Sequence, residues 1–201
     1  MAHEEARYEY RAFAPSFGIV EQRLRAAGGA PSIRESNEVY LVSRMDEVHS
    51  VKIRDGQLDI KVLVNESHGL EQWDPRYKLD FPLSELTLAE VLAPSLGISS
   101  SLPAAAATSA EALVATLHTA VEGVVAVDLF KRRFGYLVED CIAELAEVSF
   151  NGAAIRTVCV ESTDARQVAQ VAARLGLDVY ANLSYLAAAK RIVGLVRTPV
   201  F

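Results

Sequence analysis

The 201-residue sequence predicts an α+β fold of antiparallel strands covered by about five helices. Three observations point there. Period-two alternation of polar and apolar residues recurs in two separate blocks of the chain. Asp55-Gly56 and Asn151-Gly152 are dipeptides that close tight hairpins. The order of the elements is not the strand–helix repeat of a parallel sheet.

Taken in order, Arg7 to Phe13 alternates, with Tyr8, Tyr10 and Ala12 opposite Arg7, Glu9 and Arg11, and reads as a strand. A helix follows from Phe17 to Ala27, with Ile19, Val20 and Leu24 at helical spacing and Gly28-Gly29 as its stop. Glu38 to Arg44 and Val48 to Arg54 are strands, and Leu58 to Val64 returns across the Asp55-Gly56 turn. Trp73 falls in a polar loop beside Asp74-Pro75. A strand near Tyr77–Phe81 and a short helix from Leu83 to Leu92 come next. Pro94 to Thr108, rich in Ser, Ala and Pro, reads as a flexible loop inside a single domain spanning residues 1–201. An Ala-rich helix runs from Ser109 to Val121, and strands cover Val124–Phe134, Tyr136–Val148 and Ile155–Glu161. Thr163 or Asp164 caps a helix that Gly176 ends after Leu175. A last helix spans Ser184 to Val193.

Composition removes several classes of function. Twenty-six acids against 20 bases give a formal charge of −6, so no general attraction to DNA, RNA or an anionic membrane is expected. The opening Met-Ala-His-Glu-Glu lacks a signal-peptide pattern, and the richest apolar stretch is broken by Glu111, His118, Glu122 and Asp128. Cys141 and Cys159 are too few for a disulfide scaffold and form no zinc pattern with the histidines, which fits a reduced, cytoplasmic protein. There is no Gly-rich phosphate loop and no nucleophile elbow.

Where the bases sit carries more information than their number. Side chains two apart on a strand share a face. Arg7, Glu9 and Arg11 therefore lie together, as do Lys52 and Arg54, Asp59 and Lys61, and Lys131 and Arg133. For one strand this is simply a wet face opposite a packed one. Over several strands it is less ordinary, because like charges on neighbouring strands repel unless an anion sits between them. A sheet curled into a barrel with this face inward would aim the bases at one enclosed polyanion.

The ordered set resembles the CYTH superfamily, the triphosphate tunnel metalloenzymes. Its opening Glu-x-Glu-x-Lys strand corresponds to Arg7-Tyr8-Glu9-Tyr10-Arg11, its basic strands to Lys52-Ile53-Arg54 and Lys61, and its later basic pair to Lys131-Arg132-Arg133. A further acidic position corresponds to Glu144 or Glu147, and the closing Glu-x-Glu to Cys159-Val160-Glu161. The resemblance implies an antiparallel barrel of about eight strands with a polar tunnel, and phosphate gripped by Lys52, Arg54, Lys131 and Arg133 with Arg11 and Lys61 as secondary contacts. Glu9, Glu144 and Glu161 would hold Mg²⁺ or Mn²⁺ for hydrolysis of a triphosphate, polyphosphate or nucleoside triphosphate. Arg7 and Cys159 stand where the family has carboxylates. That departure opens an alternative, a polyphosphate- or nucleotide-binding module of the same fold without turnover. A third reading is a helix-covered sheet within a larger complex, its charges only solvated. Cys159 and Cys141 read as small buried hydrophobes, and Tyr8 and Tyr10 as packing beneath helices. No base pocket for a cyclase and no oligomeric state can be read from the chain.

Overall fold

The computed structural model describes residues 5–200, so His3 lies outside the described residues. Among the described residues there are eight strands: β1 (Arg7–Ala14), β2 (Ser32–Ser43), β3 (His49–Arg54), β4 (Gln57–Ser67), β5 (Leu70–Asp80), β6 (Val124–Val138), β7 (Cys141–Phe150) and β8 (Ala153–Ser162). They close into an antiparallel barrel in the order β1-β5-β4-β3-β2-β6-β7-β8. The predicted α+β class and barrel are both present. Closure removes the exposed sheet edges that would otherwise invite pairing with another chain.

Alternation along each strand divides the barrel into an inside and an outside. Outside, α1 (Ile19–Gly28) and the later helix Ala165–Leu175 pack on Ala12, Leu145, Val158 and Val160, with Tyr8 and Tyr10 at the margin as expected. Elsewhere on the exterior, Leu41, Val51, Leu58 and Ile60 meet Leu113 and Leu117 of the Ala-rich helix Ala110–Ala120. Short turns α2 (Glu85–Thr87) and α3 (Ala93–Ser95), joined by a π-helical stretch Leu88–Leu92, complete that layer. They are followed by α4 (Ala110–Ala120), α5 (Ala165–Leu175) and α6 (Tyr185–Ile192). Ser109, Asp164 and Ser184 cap these three helices through their side-chain oxygens, which settles Thr163 or Asp164 in favour of Asp164. The segment 94–108 puts Leu96 and Ala106 into the core. No helix among the described residues is long and apolar enough to cross a membrane.

Several boundaries differ from the sequence reading, β2 for instance beginning at Ser32 and not Glu38, and two of them have a local reason. β6 runs unbroken through Gly135, and the chain reverses at Glu139-Asp140, whose φ angles of 50° and 63° form the tight turn. No Gly or Asn marks that reversal, so the usual signal is missing. β5 begins at Leu70, so Trp73 is a buried strand residue inside the barrel and not part of a polar loop. The acidic and polar neighbours of Trp73 hide the alternation there, and register shifts against β4 break it further.

The end of α1 approaches β6 closely. A Cβ on Gly28 would lie 2.6 Å from the Tyr136 Cβ, a contact that backbone or ring would have to yield to. Gly28→Ala is therefore expected to destabilise the fold by about 1–3 kcal/mol, read as a lower urea midpoint at unchanged m-value.

Candidate functional site

The register of β1, β8 and β7 assembles one charged group. Glu9 pairs with Glu161 and Arg11 with Cys159, and Cys159 pairs in turn with Glu144 on β7. Because these positions alternate with the helix-packed residues, all five side chains share the inner face. Arg11 lies at the centre, with its side chain only 4% exposed. Its guanidinium donates to both oxygens of Glu9, at 2.8 and 3.2 Å, and to Glu144 and Glu161 at 3.4 Å each. Cys159 is buried, and its thiol donates to Glu161 at 3.4 Å.

A second group forms where β2 runs between β3 and β6. Glu38, whose side chain is fully buried, accepts from Lys52 at 3.2 Å and Lys131 at 2.9 Å, and is ion-paired with Arg133. Lys131 also donates to the Tyr40 hydroxyl at 3.2 Å. Arg133 reaches Glu144 at 3.4 Å and so links the two groups. Tyr185, at the start of α6, lies against both. Its ring sits 3.6 Å from the Lys131 ammonium and 4.3 Å from the Arg11 guanidinium. The Tyr185 hydroxyl is buried and has no hydrogen-bond partner among the described residues. Beyond it, Phe13, Phe150, Leu183 and Leu186 fill that end of the barrel with an apolar cluster.

Of the other predicted positions, Lys61 lies with Glu9, Glu161, Arg7 and Trp73 around a cavity of about 10 Å³, room for about one water. Arg54 does not join the group around Glu38; it pairs with Asp59 at 2.8 Å and lies 3.9 Å from Asp55. Glu147 faces outward and shares Arg156 with Glu21 of α1, so Glu144 is the inward member of that pair of candidates. Sequence reasoning passed over Glu38. The signal was available, since Glu38, Tyr40 and Val42 alternate with Val39 and Leu41 and share the inward face. The interior is consequently mixed in sign: Glu9, Glu38, Asp59, Glu144 and Glu161 stand among the bases.

Burial and neighbouring charge act differently on the two groups. Burial would raise Glu9, but Arg11 and Lys61 prevail and bring its carboxyl to about 2, while burial and the Glu9 charge push Glu161 up. Burial also opposes ionisation of Glu38, yet Lys131, Lys52 and Arg133 hold it well below the usual carboxylate range. The lysines shift the other way. Burial, reinforced by Arg54 and Lys61 against Glu38, lowers Lys52 to about 8, and burial with Lys52 and Arg133 takes Lys131 well below its ordinary value. Three cations share one carboxylate, and part of that excess is relieved by easier proton loss.

A stability effect follows. The unfolded chain keeps the Lys52 proton up to about pH 10.5 and the folded chain only to about 8, so between those values the unfolded state binds more protons. Stability is expected to rise by roughly 1–3 kcal/mol as pH increases through that window. Urea denaturation at pH 7.5 and 9.5 tests this, and Lys52→Met should flatten the rise.

The acidic group can be tested for a metal. Single donor atoms from Glu9, Cys159 and Glu161 lie within 4.8 Å of one another. Mg²⁺ and Mn²⁺ prefer oxygen ligands. Here both Glu9 oxygens are engaged by Arg11, and burial keeps the Cys159 thiol protonated by raising it well above its usual value. The donor set does not suit a hard divalent ion while Arg11 supplies the positive charge at its centre.

A groove of about 730 Å³ opens between α4 and the strands, with Val39, Ile53, Val114 and Phe130 in its lining together with Glu38 and Arg54. None of Lys52, Lys131 and Arg133 lines it.

No protein-family model and no curated protein matches the sequence. Among solved structures, the barrel is similar to HpAC1 from Hippeastrum, described as an adenylyl cyclase candidate with a dominant triphosphatase activity. The two are 16% identical with a TM-score of 0.54, covering 96% of this chain and 98% of that one. Looser likenesses are to a conserved hypothetical protein from Pyrococcus furiosus (16% identical, TM-score 0.49, 90% and 98% covered) and a candidate adenylate cyclase from Bacillus halodurans (11%, 0.49, 90% and 93%). The likeness shows the fold, a closed antiparallel barrel like the one the ordered motifs predict.

Proposed function

We propose that this chain is a binding module for triphosphate, short polyphosphate or a nucleoside triphosphate that holds its ligand in the barrel without hydrolysing it. The observation that carries this reading is the pattern of ion pairs. Lys52, Lys131 and Arg133 converge on one carboxylate and leave cationic charge in excess, whereas the carboxylates available for a metal are taken by Arg11. A buried excess of positive charge is costly, and a bound polyanion would offset it with short charge-assisted hydrogen bonds. The buried, unpartnered Tyr185 hydroxyl adds one more donor beside that group. The free buried thiols of Cys141 and Cys159 suit a reducing, cytoplasmic setting.

Hydrolysis assisted by Mg²⁺ or Mn²⁺ is the second reading. It draws on the triphosphatase activity described for the Hippeastrum protein and on the Glu9, Cys159 and Glu161 cluster. Calorimetry with tripolyphosphate in EDTA, paired with a phosphate-release assay in Mg²⁺ and Mn²⁺, separates the two. Binding in EDTA with no phosphate released in either metal is the expected result. Phosphate release that depends on the metal would favour the second reading, and no binding under any condition would remove both.

A further inference from the structure

We infer that Glu38 sets the threshold for what the barrel admits: its carboxylate is a resident anion on the three cations a phosphoryl group would use, and a ligand must displace it to bind. This rests on the polyphosphate-binding reading above.

The geometry gives the reason. Lys52 and Lys131 reach one Glu38 oxygen at 3.2 and 2.9 Å, and Arg133 pairs with the other. Both oxygens are therefore spent on the same three donors, and Ser36 donates to one of them at 3.0 Å. A carboxylate held this way resembles a bound anion in charge and in its fan of donors. It does not leave without cost, since it has no exposure to water from which to regain hydration.

Displacement costs every ligand the same amount, so it separates ligands by what else they touch. Orthophosphate or sulfate would gain little beyond the three cations that Glu38 already satisfies. A chain of three phosphates carries more charge and is long enough to reach from Arg133 to Arg11, which share Glu144. Only the longer polyanion recovers the cost. Glu38 thus sets an affinity threshold through a uniform penalty and leaves the ratio between ligands to the contacts beyond it.

The test compares the wild type with Glu38→Gln and Glu38→Asp by calorimetry, using orthophosphate and tripolyphosphate in EDTA at pH 7. Removing the charge should tighten both ligands by a similar factor of roughly tenfold or more, about the worth of one charged hydrogen bond. Orthophosphate binding should then become measurable where the wild type shows none. Glu38→Asp draws the carboxylate back by one methylene while keeping the charge, and should give a smaller gain in the same direction; it carries the test if the Gln variant does not fold. Weaker or unchanged tripolyphosphate binding in the folded variants would overturn the inference, making Glu38 a positioning residue for the cations. Failure of wild type and variants alike to bind tripolyphosphate would overturn the binding reading itself, and this inference with it. Binding by the variants alone would support both.

Discussion

Arg11→Met is expected to lower the stability of the barrel by about 3–5 kcal/mol near neutral pH, the usual cost of removing one partner from a buried ionic group. Methionine fills much of the same volume but leaves Glu9, Glu144 and Glu161 facing one another around the space the guanidinium held. Two responses can relieve that repulsion, and both are measurable. The carboxylates can take up protons. In the wild type, Glu9 is depressed to about 2, so its contribution to stability is present above about pH 4.5 and is lost as pH falls toward 2. The variant lacks that contribution, so the gap between the two proteins should close across this window. Alternatively, the carboxylates can take a divalent cation. The melting temperature of Arg11→Met should rise with millimolar Mg²⁺ or Mn²⁺, while the wild type stays flat. A variant as stable as the wild type, or a wild type that responds equally to the metals, would show that Arg11 does not hold the place of a cation in this group.

The opening strand shows how much of this could be read from the chain. Its alternation, Arg7-Tyr8-Glu9-Tyr10-Arg11, correctly separates an inner charged face from an outer aromatic one, and the same rule places Lys52, Lys131 and Arg133 inside. What alternation cannot supply is the partner of each inward charge. That depends on which strands are neighbours around the closed barrel, and β2 lies between β3 and β6 although the 80 residues 44–123 separate it from the latter. That order brings Glu38 within reach of Lys52, Lys131 and Arg54, and although Arg54 is its register partner the side chains pair diagonally, Glu38 with the two lysines and Arg54 with Asp59. Glu144 and Glu147 illustrate the converse. They are three apart and so face opposite ways on β7, but only the continuity of β6 to Val138 and the turn at Glu139-Asp140 fix which one points inward. Trp73 was obscured for a different reason. Register shifts between β4 and β5 interrupt the period-two pattern on which the reading depended.

Lys131→Met is the change that best separates a site kept for binding from one kept for stability. The lysine is 2% exposed and touches Glu38, the Tyr40 hydroxyl and the face of Tyr185. Removing a buried cation normally leaves a stranded partner, but Glu38 would still hold Lys52 at 3.2 Å and its pair with Arg133. What is lost is the charged hydrogen bond to Glu38, the bond to the Tyr40 hydroxyl and the cation–π contact with Tyr185, together of order 3–6 kcal/mol. What is relieved is the desolvation of a fully buried ammonium together with its repulsion from Lys52 and Arg133, several kcal/mol on the same scale. The two effects are of similar size, so the free variant should lie within about 2 kcal/mol of the wild type by urea denaturation. Relief of repulsion also predicts that Lys52 keeps its proton to higher pH, which would move the alkaline rise in stability upward. Tripolyphosphate, by contrast, loses one of its three central contacts and should bind roughly tenfold or more weakly. A chain that keeps its stability while losing its ligand would place the burial of Lys131 among the compromises proteins make for function. Loss of stability with undiminished binding would make the same lysine a structural strut, and the polyanion would have to be sought elsewhere on the barrel.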